Sequence, residues 1–404
     1  MPSNSQKRIR RIREATKGTT PAGNMLELPF ETFTMSSGIE REQPGNVAAN
    51  RQIVDNPATN VTPTASATSD YQYSDYEGLW EEVWCGAKTA AVSTITGTTF
   101  ACVDSTNRVT DSGNGLAGVA AGRFVLVNGF TESANAGPRL GRVTDSAAGY
   151  ITIDTNFWNV ADETAGDTVS IYIGGYFSLG TSMLTATYEE WNTASSVGRV
   201  MRGVGCSQYS VSGTSPNKFT QSFSFVGMSA AGILASALAN ATDAATAPPI
   251  INANSNFGET DDTDVGMGLR WNGTLIPTVR VKTYRCTWAN PLLAEGQLGT
   301  LGPTTIQLDG RFDIRIELEI FRDGAVATES FITDANTQST TKSLGIGWKD
   351  NDGNRIYDWF PEVQPFGETP NGLAQSGSDM TTITLVARSA ATYGMFRRTV
   401  FASF

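Results

Sequence analysis

Histidine is missing from all 404 residues of this chain. Its absence removes the commonest general base and the commonest metal ligand. With it go Ser-His-Asp, Cys-His and HExxH chemistry. Cysteine is scarce: Cys85, Cys102, Cys206 and Cys286 stand far apart and form no CxxC pair. A thiolate zinc site is therefore not expected, and the four read as buried, reduced thiols of a protein folded in a cytosol. No apolar run follows the basic N-terminus, so no secretory leader is read there. No stretch approaches the roughly 20 apolar residues of a membrane helix. Charge is thin too, at 17% of residues, which argues against long charged helices. The abundance of Gly, Ser, Thr, Asn and Ala favours short strands, turns and wide solvated loops. Hydrophobic residues, at 40%, are enough for packed cores in two or three domains.

The chain repeats itself. Phe30-Glu31-Thr32-Phe33-Thr34-Met35 matches Val281-Lys282-Thr283-Tyr284-Arg285-Cys286 at an offset of 251, and Glu77 matches Glu329 at 252. Further on the offset collapses. Trp191 matches Trp348 at 157, and the run Lys218 to Ala230 matches Ser378 to Ala390 at 160. The lost 94 residues imply that foreign sequence interrupts the first copy. The expected organisation is a basic N-terminal arm (1–23), a discontinuous first unit (24–88 and 176–240), an inserted β domain (89–175), a linker (241–264) and a second unit (265–404). Two fused copies suggest a ring, because duplication joins subunits that would otherwise be separate.

Periodicity points to an all-β protein with short flanking helices. Asn24 to Ser37 alternates and reads as one strand. Val61 to Tyr73 reads as another. Phe312 to Phe321 shows the clearest two-residue alternation, with Ile314, Ile316, Leu318 and Ile320 on one face and Asp313, Arg315, Glu317 and Glu319 on the other. A helix is expected over Ser74–Thr89, capped by Ser74 or Asp75, with Tyr76, Leu79, Trp80, Val83 and Trp84 as its apolar stripe. Ala327–Asn336 should match it in the second copy, and Ser229–Asn240 is helical by composition. Two long segments, Gly38–Asn60 and Ala289–Pro303, read as loops made for interaction. The insert reads as a small sandwich or barrel of short strands.

Charge is unevenly spread. The first 17 residues carry +5, which leaves −16 on the remainder of a chain of net −11. A basic arm of this kind can dock on a neighbouring copy of the same acidic body, and a disordered tail or a nucleic-acid contact are the alternative readings. The motifs that carry chemistry elsewhere are weak here. Gly113-Asn114-Gly115-Leu116-Ala117-Gly118 fits GxGxxG, but strand-like residues follow it where a nucleotide fold needs a helix. Asp350-x-Asp352-Gly353-Asn354 lacks the remaining acids of a calcium loop and reads as a hairpin turn. Glu259, Asp261, Asp262 and Asp264 read as solvated linker. Three Asn-x-Thr sequons have no secretory context. Trp80, Trp84, Trp191, Trp348 and Trp359 read as core. No catalytic, cofactor or metal residue is assigned, and no enzyme activity is expected.

Taken in order, these features resemble the tail tube (major tail) proteins of long, non-contractile-tailed bacteriophages. The resemblance rests on Glu14, Gly18, Thr20 and Pro21, near an E-x-x-x-G-x-T-P start. It rests also on the duplicated strand–loop–strand–helix–hairpin order, on Asp352-Gly353-Asn354 followed by Phe360-Pro361-Glu362-Val363, and on the insert's Gly122–Val127 and Ala165–Val169. It implies two tandem half-barrel units whose sheets join those of neighbours into a tube. A duplicated chain should then form trimeric, pseudo-hexameric rings, with the insert outside and the two long loops touching the next ring. It implies a virion protein made in the host cytoplasm, with a tape-measure protein in the lumen and terminator and distal tail proteins at the ends. Double-stranded DNA would pass without specific binding, and no membrane is involved. Asp313, Glu317 and Glu319 are the candidates for lining the lumen, where negative charge keeps DNA from sticking. The competing expectations are another virion β-protein, such as a distal tail, adhesin or decoration component, and a hydrolase. A hydrolase needs carboxylates about 5–10 Å apart in a cleft, and no local pair marks one.

Overall fold

The computed structural model describes residues 7–42, 56–72, 76–215, 217–229, 232–238, 242–243, 268–276, 279–297, 300–322, 326–337, 341–350, 352–366 and 380–402. The chain begins with β1 (Lys7–Arg13), β2 (Met25–Leu28), β3 (Thr32–Ser36), β4 (Ile39–Arg41), β5 (Ala58–Val61), β6 (Thr64–Asp70) and α1 (Glu77–Trp84). The insert supplies β7 (Val92–Gly97), β8 (Phe100–Val103), β9 (Arg108–Asp111), β10 (Phe124–Asn128), β11 (Arg139–Ala147), β12 (Tyr150–Ile153) and β13 (Val169–Ile173). There follow β14 (Gly175–Ser178), β15 (Ala186–Asn192), β16 (Val197–Thr214), β17 (Thr220–Val226), β18 (Gly232–Leu234) and β19 (Thr242–Asp243). Then come β20 (Leu269–Trp271), β21 (Thr274–Leu275), β22 (Val281–Ala289), β23 (Leu292–Gly296), β24 (Pro303–Leu308), β25 (Asp313–Phe321) and α2 (Val326–Thr337). Last are β26 (Lys342–Lys349), β27 (Arg355–Pro365), β28 (Met380–Arg388) and β29 (Arg397–Phe401). The protein is all-β, with two flanking α-helices among the described residues.

One sheet layer runs through both copies. Its order is β3-β6-β17-β16 and then β22-β25-β28-β27, every pair antiparallel. The first four strands and the last four follow the same sequence order, strand for strand. The last strand of the first set, β16, pairs with the first strand of the second, β22, from Gln208↔Ala289 to Thr214↔Thr283. The copies are thus joined head to tail, not around a twofold axis. A second layer repeats as well: β1-β15-β16-β18 in one copy and β20-β26-β27-β29 in the other. β16 spans 18 residues because its first half belongs to one layer and its second half to the other.

Side-chain register fixes which positions correspond. Met201 and Val204 of β16 and Phe360 and Val363 of β27 all enter the main core. Arg199 lies between Glu190 and Ile233, as Asp358 lies between Ile346 and Arg398. By the same alignment Asn192, not Trp191, is the counterpart of Trp348. Trp348 is in the main core, whereas Trp191, an odd number of residues from the core residue Tyr188, faces the other side of β15. The sequence match at 157 was one residue out of register; both copies share the bulge before it, between Ala186 and Tyr188 and between Lys342 and Leu344, so the match followed tryptophan identity and not pairing.

Several expectations are corrected. The basic segment 7–13 is not a free arm but β1, bonded to β15 on one side and β2 on the other. Its cations meet glutamates of their own chain: Lys7–Glu190 at 2.6 Å, Arg8–Glu27 at 3.0 Å, Arg10–Glu189 at 3.0 Å, Arg13–Glu81 at 3.1 Å, and Arg11 with Glu82. Asn24–Ser37 is two strands, split at Pro29, which has no N–H to give a ladder. The long loops carry hairpins, β4–β5 and β23–β24. Within Ser229–Asn240, residues Gly232–Leu234 form a strand on Gly198–Val200 rather than a helix. The open edge of β16 outweighs the helical propensity of the segment. Ser74, Asp75, Asn351, the acidic cluster Glu259–Asp264 and most of the linker lie outside the described residues.

The insert forms its own seven-stranded sheet, in the order β7-β13-β10-β11-β12-β9-β8, around Phe100, Val125, Val127, Val143, Ile151 and Ile171. Thr89 and Tyr176 exchange two backbone hydrogen bonds where it leaves and re-enters the body. It interrupts the first copy in sequence yet packs on the second: Phe124, Leu126, Leu140 and Phe157 meet Tyr357, Trp359 and Phe401. Arg142 stacks over Trp359, and Arg270 donates to the carbonyls of Phe157 and Gly273.

The junction of the two copies is the most aromatic part of the core. Trp84 of α1 and Tyr209 of β16 face Trp288 of β22, Trp84 also meets Phe396 beside β29, and Trp80 packs on Trp84. Inside this group lies Arg398, wholly inaccessible, in a bidentate pair with Asp358 at 2.6 Å on each arm. Its third arm points to the Tyr209 hydroxyl, and its plane lies 4.6 Å from the Trp80 ring centre and 4.9 Å from that of Trp84. Removing one partner strands a buried charge and costs about 3–5 kcal/mol, whereas an apolar replacement of both can be nearly neutral. Asp358→Ala and Arg398→Met should each lower unfolding stability by that amount. Asp358→Leu combined with Arg398→Met should recover most of the loss in a denaturant-unfolding cycle.

Candidate functional sites: a hydroxyl-lined sheet face and the Glu14 clamp

The long layer has one buried and one open face. Alternation along β3, β6, β17, β22, β25 and β28 sends the apolar residues inward toward α1 and α2. The opposite face is built almost wholly of hydroxyls in the first copy. Thr32 meets Thr68 at 2.5 Å, Thr34 meets Ser66 at 2.7 Å, and Ser210 meets Ser222 at 2.7 Å. The ladder crosses into the second copy where Thr214 donates to Thr283, which donates in turn to Glu319 at 2.8 Å. Short β-branched and hydroxylated side chains suit this role, because cross-strand pairs hold them flat against the sheet.

Asp313, Glu317 and Glu319 all lie on this face, as half-buried residues alternating with the buried Ile314, Ile316, Leu318 and Ile320. They are not alone there. Arg315 pairs with Asp313 at 3.0 Å, and Arg285 stands directly across from Glu317. The face is therefore mixed in charge in the second copy and uncharged over most of the first. An acidic face was the expectation. Alternation already set Arg315 among these acids; Arg285 joins them only through the pairing register, which the sequence does not reveal.

The opening motif that carried the family resemblance has a physical basis. Glu14 is buried, and its carboxylate accepts four hydrogen bonds: from Gly18 N–H at 2.8 Å, Gly203 N–H at 2.9 Å, Thr185 Oγ1 at 2.9 Å and Thr187 Oγ1 at 2.7 Å. Gly18 and Gly203 both have positive φ, of 75° and 63°, which glycine alone adopts without strain. Thr20 Oγ1 accepts from Arg202 at 2.9 Å. The E-x-x-x-G-x-T spacing thus fastens β1 to the β15–β16 bulge. It is a structural clamp around a buried carboxylate.

Other candidate motifs resolve into local structure. In the GxGxxG segment the N–H groups of Gly113 and Gly115 both point at Asp111, at 2.8 and 2.6 Å, which fills the position a phosphate would take. In the Asp350 loop, the backbone N–H groups of Asp352 and Asn354 and the Asn354 side-chain amide all donate to Asp350. Among the described residues no cluster of three or more Cys, Asp or Glu side chains could hold a metal ion. The four cysteines are buried, and burial raises each thiol, Cys102 to about 12. None is a ready thiolate nucleophile. No helix among the described residues is long and apolar enough to cross a membrane. A scan against protein-family models and a search of curated proteins both find no match for this chain.

Two expectations follow. Glu14→Ala leaves its buried donors without an acceptor and should cost about 3 kcal/mol or more in denaturant unfolding, with Glu14→Gln recovering part of it. The second concerns acid. Burial alone would raise Asp111 and Glu163, yet hydrogen bonds from Thr99, Gly115 and Gly113, and from Asn135, Glu132 and Thr131, hold both below their ordinary values of 3.8 and 4.5. A depressed carboxylate contributes stability that is complete above its unfolded pKa and lost as pH falls through the folded one. The insert should hold constant stability above pH 5 and weaken below about 4. Asp111→Asn should flatten that slope, read by fluorescence of Trp158.

Proposed function

We propose that this protein is a structural subunit of a bacteriophage tail tube, polymerising as trimeric, pseudo-hexameric rings that stack around a DNA channel. The observation that carries this reading is the head-to-tail joint, in which β16 of one copy pairs with β22 of the next in a single open layer. A heterologous joint of that kind, repeated between chains, generates a ring when the rotation closes. One end of the layer is available for it: Thr32–Ser36 bonds only to β6 among the described residues. At the other end, the continuation of β27 that corresponds to the β22-pairing half of β16 lies outside the described residues. Three chains would supply six four-stranded units.

Closure with the hydroxyl face inward gives a lumen suited to passing DNA. Affinity for a duplex grows with each phosphate neutralised by a cation. Here the arginines of the face stand among carboxylates, and the hydroxyls are satisfied by one another. The exposed Ile39 and Leu301 of the two hairpin segments would meet the adjoining ring. The insert, docked on the side away from the open face, would sit outside. A tape-measure protein in the lumen, terminator and distal tail proteins at the ends, and a place in the virion belong to the same proposal.

Negative-stain microscopy of the purified protein should reveal stacked rings with threefold symmetry and a central channel. Compact monomers or small fixed oligomers at every salt and concentration would favour an adhesin or decoration protein. Glu317→Gln with Glu319→Gln should leave tube assembly intact and slow DNA ejection, because the wall loses two negative charges and Arg285 loses the carboxylate across from it. Unchanged ejection kinetics would remove these acids from the channel wall.

A further inference from the structure

A groove of about 380 Å³ opens beside β3, lined in part by Phe33, Met35, Asn192, Val197, Arg199 and Ile233. Ile233 is 81% exposed and Val197 46% exposed, unusual for large apolar side chains framing one depression. The internal repeat identifies what belongs there. The counterparts of those six residues in the second copy are Tyr284, Cys286, Trp348, Ile356, Asp358 and Arg398, and every one is buried. They are covered by the first copy: Tyr71 and Phe219 lie on Trp348, Phe219 on Tyr284, and Trp80, Trp84 and Tyr209 on Arg398. The same surface thus occurs twice in the chain, once covered by the preceding unit and once, among the described residues, left open except at the buried Met35.

We infer that this open groove is the docking site for the second unit of another copy of this chain, which enters with Arg322, just past β25, and with α2. This rests on the ring-forming reading and adds the residues that decide the contact. In the entering unit Arg322 follows β25 as Tyr71 follows β6, and Ile332 of α2 stands where Trp80 stands in α1. Arg322 is held by Glu329 at 2.6 and 3.1 Å, only partly covered, with the 82%-exposed Val326 nearby. Opposite it the groove offers Lys7, Glu190 and Arg199 around Ile233. The joint between chains is therefore smaller-sided and more ionic than the aromatic joint within a chain. It suits subunits that must remain separate until they assemble.

The test is a double cysteine variant, Ile233→Cys with Arg322→Cys, treated with a short bismaleimide. The four native cysteines are buried and stay unreactive in the folded protein. Covalent dimers and trimers on a denaturing gel, absent from either single variant, are the expected result. Ile233→Asp, at an exposed position that the fold does not need, should raise the concentration required for ring formation by about tenfold or more, from the loss of one buried aliphatic side chain. Rings that form normally with Ile233→Asp and give no cross-link would overturn the docking site while leaving the tube reading in place. A wild-type chain that remains monomeric under all conditions would overturn both.

Discussion

A charge with no access to water ties the two halves of this protein together. Arg398 and Asp358 belong to β29 and β27 of the second copy, yet Trp80 and Trp84, which cover the guanidinium, come from the helix of the first. Burying both ions costs several kcal/mol each before their attraction is counted, so the pair adds little net stability. What it adds is geometry. A bidentate arginine has one orientation relative to its carboxylate, and the flat guanidinium accepts rings only above and below its plane or at its edges. Unless α1 lies across β27 and β29 at the observed position, a desolvated charge loses its cover. The angle between the two units, on which any ring curvature depends, is therefore fixed within the chain.

That constraint explains where the insert could be accommodated. It enters after α1 and returns at β14, and the exchanged bonds between Thr89 and Tyr176 bring its ends together. An insertion with adjacent ends disturbs its host little. β14 then pairs with β29, next to Arg398, and the insert rests on the outer side of the same strands through Tyr357, Trp359 and Phe401. The second-copy strands β27 and β29 are thus packed on both faces. Their sequences lose alternation for this reason: Arg355 to Phe360 is an unbroken buried run.

How much of this was legible depended on whether a residue's role is local. Ile314 to Ile320 alternate because one sheet face is wet, and that strand was readable from the sequence alone. So was the α1 stripe of Leu79, Trp80, Val83 and Trp84. The duplication was readable at Phe33 and Tyr284, where both copies keep an aromatic facing the core. It misled at Trp191, because sequence matching prefers a tryptophan to the true counterpart, Asn192. The basic segment 7–13 could not be assigned from composition. Its role depends on Glu27, Glu81, Glu82, Glu189 and Glu190, glutamates scattered along the chain that only the fold collects around one strand. Gly232–Leu234 failed in the same way, since an open sheet edge far away in sequence decided its conformation. Asp358 and Arg398 gave no signal at all: forty residues apart, each looks like an ordinary surface charge.

Fusion of two copies allows their two joints to differ. When identical subunits form a ring, every joint is the same and one substitution changes all of them. Here Arg398 and Ile233 occupy equivalent places, as do Asp358 and Arg199, Trp348 and Asn192, Trp80 and Ile332. On one side of each comparison stands a large buried group, and on the other a smaller or solvated one. The joint inside the chain never has to open, so it can bury tryptophans and an ion pair whose separation would be costly. A surface that must stay soluble before assembly cannot expose such a patch without aggregating. In the proposed ring, ionic side chains around the exposed Ile233 would meet both demands: water stabilises the open groove, and a complementary unit would displace that water. On that proposal the divergence of the two joints follows from one being covalently tethered and the other being left for another chain to close.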